Sequence, residues 1–366
     1  MTERDTVEGE GIRSAAPPPP GSDVTAADPV PAAPPAVAPR ARGRLGGVSV
    51  PEIGALLGVL ILLIVFFSLR SQFFLNTNNI VNILQNVAVI GIIACPATLL
   101  LISGQFDLSV GSAAGFVGMV MAIAAANPET TAVPFAFGLP IPLAVLMAVG
   151  AALLVGLING FAVTVIGINA LITTLATLAI FRGLTKVLGE GQTIRVNGFG
   201  ELGVARPLFD IPLPVYLFIA VAIAFYLLLR FTVYGRSMYA IGASPMAARL
   251  AGIRTKRAIF VGFILSSLAV ALASLIRLSQ VGGASTNAGL GLELSVVTAV
   301  VLGGASLAGG RGTLLGTILA VLIVGVLDNG LIQIDVPSFW IEVAGGLLLL
   351  GAVSFDQLRI RLAPTG

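Results

Sequence analysis

Apolar residues in this chain recur in runs close to the ~20-residue length that an α-helix needs to cross a bilayer. They predict ten spans, over residues 50–69, 79–103, 107–126, 141–166, 169–188, 212–230, 256–280, 293–308, 313–334 and 337–355. Two polar connections are long, residues 189–211 and 231–255, and the others are short. The expected fold class is therefore all-α: a polytopic membrane protein of about ten helices, with residues 49–366 as the transmembrane domain.

Composition sharpens that picture. Of the 366 residues 57% are hydrophobic and only 10% charged, against about 25% charged in soluble domains. Residues 1–48 hold 11 of the 37 charged residues and nine of the 21 prolines, including Pro17 to Pro20. Such a segment cannot bury a core and reads as a disordered cytoplasmic tail. Histidine is absent and Cys95 is the sole cysteine, so a hydrolase, a metalloenzyme or an internal disulfide is excluded as the working assumption. The net charge of +3 and pI near 9.4 point to Lys and Arg held on the cytoplasmic side rather than to nucleic acid. With the N-terminus inside, fourteen Lys and Arg residues fall on inner segments and six on outer ones, and the cluster from Arg230 to Arg257 is the strongest part of that bias. Ten spans then return the C-terminus to the cytoplasm.

The chain also repeats itself. Asp107-Leu108-Ser109-Val110 recurs as Glu293-Leu294-Ser295-Val296, 186 residues later. Gly156 with Asn159-Gly160 is echoed by Gly325 with Asn329-Gly330. The copies begin five spans apart, so they are expected to be inverted, an architecture common in alternating-access transport. Each copy places an acid and a serine among glycines at the start of a span. This suits either a helix cap or a broken, re-entrant helix beside the pathway.

Between the sixth and seventh spans, Ser244 is a good N-cap, Pro245 suits the first helical position and Gly252 suits the C′ position. A capped helix over about 244–251 is expected, offering either a knob for a cytoplasmic partner or a basic surface for anionic lipid. No Gly-x-x-x-x-Gly-Lys-Ser/Thr loop is present, so the chain is not expected to bind ATP in the usual way.

Four stretches resemble the permease subunits of ribose-type ABC sugar importers. They are Gly104 to Ser112, Leu171 to Leu175 with Arg182-Gly183-Leu184, Gly235 to Ile253, and Gly303 to Thr313 followed by Gly316-Thr317 and Asn329-Gly330. Asp328 stands where that family commonly has Asn, and Ala344 where it usually has Lys. The resemblance implies two permease chains, identical or closely related, with two ATP-binding subunits below and an extracytoplasmic sugar-binding protein above. No cofactor is expected in this chain, since ATP and Mg belong to the partner, and the location expected is the inner membrane. The docking residues implied are Gly235, Arg236, Gly242, Ser244, Pro245, Arg249 and Gly252.

Ionisable groups within spans are costly and usually face the interior, which selects Asp107, Arg182, Glu293, Asp328 and Glu342. A neutral sugar also needs hydrogen bonds, which suits Asn86, Thr174 and Asn329, and the expected pathway is Asn86, Asp107, Ser109, Thr174, Glu293, Asp328 and Asn329. The rival readings are a branched-chain amino-acid ABC permease and a proton- or sodium-coupled secondary transporter.

Overall fold

The computed structural model describes residues 44–45, 48–129, 131, 133 and 135–362, with side chains from Ile53 to Ser354. Apart from Arg44, Leu45 and Val48, the tail expected over 1–48 lies outside the described residues, as do the side chains of Arg359 and Arg361. Two-residue strands Arg44–Leu45 (β1) and Val48–Ser49 (β2) pair antiparallel. The helices that follow are α1 Val50–Arg70, α2 Thr77–Ile102, α3 Val110–Ala125, α4 Ile141–Phe161, α5 Ala170–Gly189, α6 Glu201–Val204 and α7 Leu213–Phe231. Then come α8 Val233–Ala243, α9 Pro245–Leu250, α10 Thr255–Val281, α11 Leu292–Leu302, α12 Leu314–Gln333 and α13 Ser338–Leu362.

Among the described residues seven helices are long and apolar enough to cross a membrane, and three shorter apolar helices (α3, α11 and α13 as far as Ser354) make up the ten expected. The largest departure is the eighth expected span, 293–308. It is replaced by the 11-residue α11, about 16 Å long at 1.5 Å per residue and too short to cross. The chain then turns through Gly303 to Thr313, where Gly304, Gly309, Gly310 and Gly312 all have positive φ, a conformation that stops a helix of L-residues. The third expected span is likewise shortened at its start. Residues 105–109 are not helical, and α3 begins only at Val110. The 231–255 connection is more ordered than expected, because α8 precedes the capped helix. Within 189–211, Ile194–Arg195 (β3) pairs antiparallel with Gly283–Ala284 (β4).

Helices α2 and α10 form the centre. Their apolar windows are 78% and 61% buried, whereas that of α1 is 6% buried and faces outward. The two central helices run in opposite directions. The C-terminal end of α2, at Leu99 and Leu100, packs on Gly262 near the start of α10, while Asn86 early in α2 bonds Arg277 near the end of α10. Around them, α3 packs on α4 and α5 as α11 packs on α12 and α13. Helix α4 packs on α10 as α12 packs on α2. Exchanging α2 with α10, α3 with α11, α4 with α12 and α5 with α13 preserves these contacts, so the repeat read from short echoes is a structural repeat of opposite sense. Helices α1 and α7 break the correspondence, since α1 packs on α12 and α7 on α2.

Glycine makes the close contacts possible. The missing side chain of Gly91 is replaced by the ring of Phe218, that of Gly325 by Val87 and that of Gly330 by Phe67. Hydrophobic transfer does not drive helices together in lipid, and this interlocking of small and large residues does.

Candidate translocation and docking sites

Four of the seven residues expected in a pathway line one cavity. It has a volume of about 950 Å³ and is walled by α2, α10, α11, α12, α13 and the turn before α11, with Asn86, Glu293, Asp328 and Asn329 on its surface. Arg277 and Glu342 line it too. The guanidinium of Arg277 donates to Asn86 Oδ1 at 3.1 Å, so this cation is directed by a neutral amide. Asp328 makes no hydrogen bond or ion pair among the described residues, which leaves its carboxylate free toward the cavity.

Asn329 is held from behind. Its amide and that of Asn79 on α2 exchange two hydrogen bonds, each 2.9 Å long. Asn79 also donates to the Phe74 carbonyl at 2.8 Å. Sequence reading selected Asn329 and missed Asn79, which opens a stretch with three further amides, Asn82, Gln85 and Asn86, and does not stand out among them.

Glu293 is 7% exposed. One carboxylate oxygen accepts from Arg182 Nη2 at 3.0 Å, joining α5 to α11 in the one ion pair among the described residues. The other oxygen has no partner and lies where a side chain on Gly111 would project. Gly111 belongs to the Asp-Leu-Ser-Val-Gly-Ser stretch of the first half. The two copies of the repeated motif therefore meet, and only hydrogen at position 111 leaves room.

Asp107, Ser109 and Thr174 lie elsewhere. Asp107 Oδ1 accepts from the Ser109 N–H at 3.1 Å and from the Ser109 hydroxyl at 2.6 Å. Its Oδ2 accepts from Ser266 of α10 at 2.8 Å. Asn159 of α4 donates to Ser109 Oγ at 2.8 Å, while its own Oδ1 is buried without a partner. Ser109 stands at the N-cap position but makes no side-chain cap, so the capping alternative is replaced by a turn held through Asp107. This network ties the break before α3 to α4 and α10. Thr174 is fully buried and returns its hydroxyl to the Ala170 carbonyl at 2.9 Å, so it belongs to α5 itself and not to the cavity.

The helix expected to dock a partner is punctuated as the local sequence predicts. Ser244 accepts from the Ala247 N–H at 3.2 Å, Pro245 opens α9, and Gly252 has φ +81°. Gly235 lets α8 fold back onto the carbonyls of Leu228 and Leu229. Gly242 is pressed against the Ile102 carbonyl and the Gly310 N–H, which themselves hydrogen-bond at 2.7 Å. Tyr239 donates to the Gly312 carbonyl at 2.8 Å and Tyr234 to the Ala258 carbonyl at 2.9 Å. Burial raises the ionisation range of both phenols, with Arg230 partly opposing it at Tyr239, so both remain proton donors at neutral pH. Helix α8 is thus joined to both helix breaks, at the end of α2 and in the glycine turn after α11. Arg236 and Arg249 are exposed. Met246 and Leu250, four residues apart on α9, are 67% and 83% exposed. These apolar knobs were not singled out from sequence, where they pass for ordinary helix formers.

Cationic side chains divide by end. Arg230, Arg236, Arg249, Arg254, Lys256 and Arg257 cluster around α8, α9 and the start of α10, and no Asp or Glu occurs between Asp210 and Glu293. The segment 189–211 mixes Arg195 and Arg206 with Glu190, Glu201 and Asp210.

Comparison with known proteins agrees with this architecture. The family described as "Branched-chain amino acid transport system / permease component" matches residues 79–353. The L-arabinose transport system permease protein AraH of Escherichia coli K12 is 36% identical over 275 residues, covering 75% of this chain and 80% of its own. The ribose import permease protein RbsC of Bacillus subtilis is 37% identical over 311 residues, covering 84% and 93%. RbsC of Escherichia coli K12 is 34% identical over 314 residues, covering 84% and 94%. No solved structure matches. An inverted bundle with broken helices, a polar cavity and a capped helix pair, matched over most of its length, places this chain in the family of ABC-importer permease components to which the ribose and arabinose permeases belong.

Proposed function

We infer that this chain is the membrane-spanning subunit of a monosaccharide importer of the inner membrane. The substrate class rests on the arabinose and ribose relatives, and the observation that carries the reading is the cavity itself. Asn86, Asp328 and Asn329 bring carboxylate and amide groups to one wall of it. These suit the hydroxyls of a sugar, which both donate and accept.

The cavity lies toward the 189–211 end, which faces outward if the basic α8–α9 end is cytoplasmic. Both termini are then inside. An extracytoplasmic binding protein delivers the sugar, two permease chains associate in the bilayer, and ATP-binding subunits holding ATP and Mg dock on Gly235 to Gly252. Met246 and Leu250 seat in those subunits, and Gly242 passes their movement to the Ile102 and Gly310 backbone. Helices α2 and α12, joined through Asn79 and Asn329, then rock as a unit against α4 and α10, joined through Asn159, Ser109, Asp107 and Ser266. In this reading Asp107 and Ser109 act in that joint, and Thr174 fits against α3.

One observation favours a second substrate class. Arg277 and Asp328 present both signs of charge to the cavity, as the ammonium and carboxylate of an amino acid require. The deciding measurement is uptake into proteoliposomes holding the permease with its ATP-binding subunits and binding protein, using labelled arabinose, ribose and leucine. ATP-dependent uptake of a sugar, unaffected by leucine, is expected. Uptake of leucine alone, or uptake that needs an ion gradient rather than ATP, would overturn the reading.

A further inference from the structure

The elbow between α9 and α10 holds a basic hollow of which the transport reading uses only the rim residue Arg249. It has a volume of about 510 Å³ and is lined by Arg249, Ile253, Arg254, Thr255, Lys256 and Arg257. Four of the six are cations. None forms an ion pair among the described residues, and the sequence offers no Asp or Glu from 211 to 292. Thr255 is buried and Ile253 half-buried, forming a floor, while the four cations are exposed around it. Arg254 occupies the N-cap position of α10 without a side-chain cap; the Thr255 N–H turns back to the Ile253 carbonyl at 2.9 Å, and the N–H groups of Lys256 and Arg257 in the first turn stay open beside the same hollow. Four uncompensated cations in one concavity repel one another, and an anion relieves that repulsion.

The position of the hollow selects the anion. Lys256 and Arg257 are among the first residues of a helix that crosses the membrane, so the hollow lies at the level of the lipid headgroups. We propose that it is a binding site for the phosphodiester headgroup of an anionic phospholipid such as phosphatidylglycerol. The phosphate sits between Arg254 and Arg257, Arg249 closes the α9 side, and the acyl chains run along the outside of α10. The bound lipid holds the elbow that sets the angle of α9, the element assigned above to ATPase docking. The lipid site stands on the hollow and its charges alone, and does not depend on what the importer carries.

The test uses the intact importer, purified with its ATP-binding subunits in mild detergent and examined by native mass spectrometry after adding phosphatidylglycerol, phosphatidylcholine or glycerol phosphate. Wild type is expected to retain phosphatidylglycerol over phosphatidylcholine, with glycerol phosphate failing to displace it. Neutralising each cation should weaken retention about fivefold, and R254Q/R257Q about 25-fold, while R254K/R257K retains the lipid and shows that the elbow still folds. Equal retention by the R254Q/R257Q variant, or equal retention of phosphatidylcholine, overturns the proposal. Displacement by glycerol phosphate overturns the lipid assignment in favour of a free anion. A cross-link from the R254C variant that reaches only the ATP-binding subunit overturns it in favour of a protein contact. Sugar uptake is not part of the readout, so failure here and failure of the transport reading are told apart.

Discussion

Asn79 and Asn329 stand 250 positions apart in the chain and exchange two side-chain hydrogen bonds, each of 2.9 Å, in the buried seam between α2 and α12. Both side chains are buried, 4% and 7% exposed, and lipid offers no replacement partner. N329L should therefore leave Asn79 with the Phe74 carbonyl alone and lower stability by about 1–2 kcal/mol. The thermal melt of the purified protein in detergent measures this. The double variant N79L/N329L should recover most of the loss, and additive losses would mean that the pair is not coupled.

Gly242 and Gly252 should respond in opposite ways to the same substitution. A methyl group on Gly242 meets the Ile102 carbonyl and the Gly310 N–H, both backbone, so G242A must displace α8. ATP hydrolysis should persist while sugar uptake falls at least tenfold. Gly252 has open space around it and φ +81°, so G252A costs only the left-handed strain of about 1–2 kcal/mol and should keep most uptake. Normal coupling in G242A would remove α8 from the transmission path. R249Q should also raise the ATP used per sugar carried, and unchanged coupling there would take Arg249 out of the docking surface.

Arg182 neutralises a carboxylate that has nowhere else to turn. R182A should leave Glu293 buried without a counter-charge and cost about 3 kcal/mol, read as a drop in melting temperature. R182A/E293Q should recover much of it, since no charge is then stranded. G111A should be as damaging as R182A, because its methyl group would occupy the place of the second Glu293 oxygen. A silent G111A would show that the two motifs do not touch.

Asp107 gathers Ser109 and Ser266 onto one carboxylate. D107N keeps an acceptor for the Ser109 N–H and should fold, with uptake reduced only a fewfold. D107A strands the buried donors, each costing about 1–3 kcal/mol, and should lose yield and melting temperature together. Equal behaviour of the two variants would exclude the network as the reason for the acid.

Asp328 faces the cavity without a partner. If it accepts sugar hydroxyls, D328N should raise KM for uptake severalfold and leave kcat within about twofold, as expected when binding common to ground and transition states is weakened. A fall in kcat alone would assign Asp328 to the moving parts instead.

Much of this was legible in the sequence because the bilayer constrains it so strongly. A helix crossing hydrocarbon must satisfy its own backbone and present apolar side chains, so expected limits such as 212–230 and 256–280 fall within a residue of Leu213–Phe231 and Thr255–Val281. The punctuation of α9 was equally readable, since Ser244, Pro245 and Gly252 act on neighbours three or fewer residues away. The span expected at 293–308 failed because composition cannot tell a helix that crosses from one that stops at the glycines after Leu302. Asn79, Arg277 and Asn159 were missed as site residues because each has meaning only through a partner on another helix.

The sequence by itself determined the membrane class, the limits of the full-length spans, the α9 caps and the presence of a repeat, all of which depend on local chain energetics in lipid. Only the tertiary structure decided which expected pathway residues share a cavity. It placed Asn86, Glu293, Asp328 and Asn329 together, and sent Asp107 and Ser109 to a separate joint and Thr174 to its own helix. The physical reason is that a polar group in an apolar span must find a partner or a cavity. Which it finds is set by the crossing of helices far apart in sequence, where a glycine such as Gly111 or Gly242 permits contact and any larger residue forbids it.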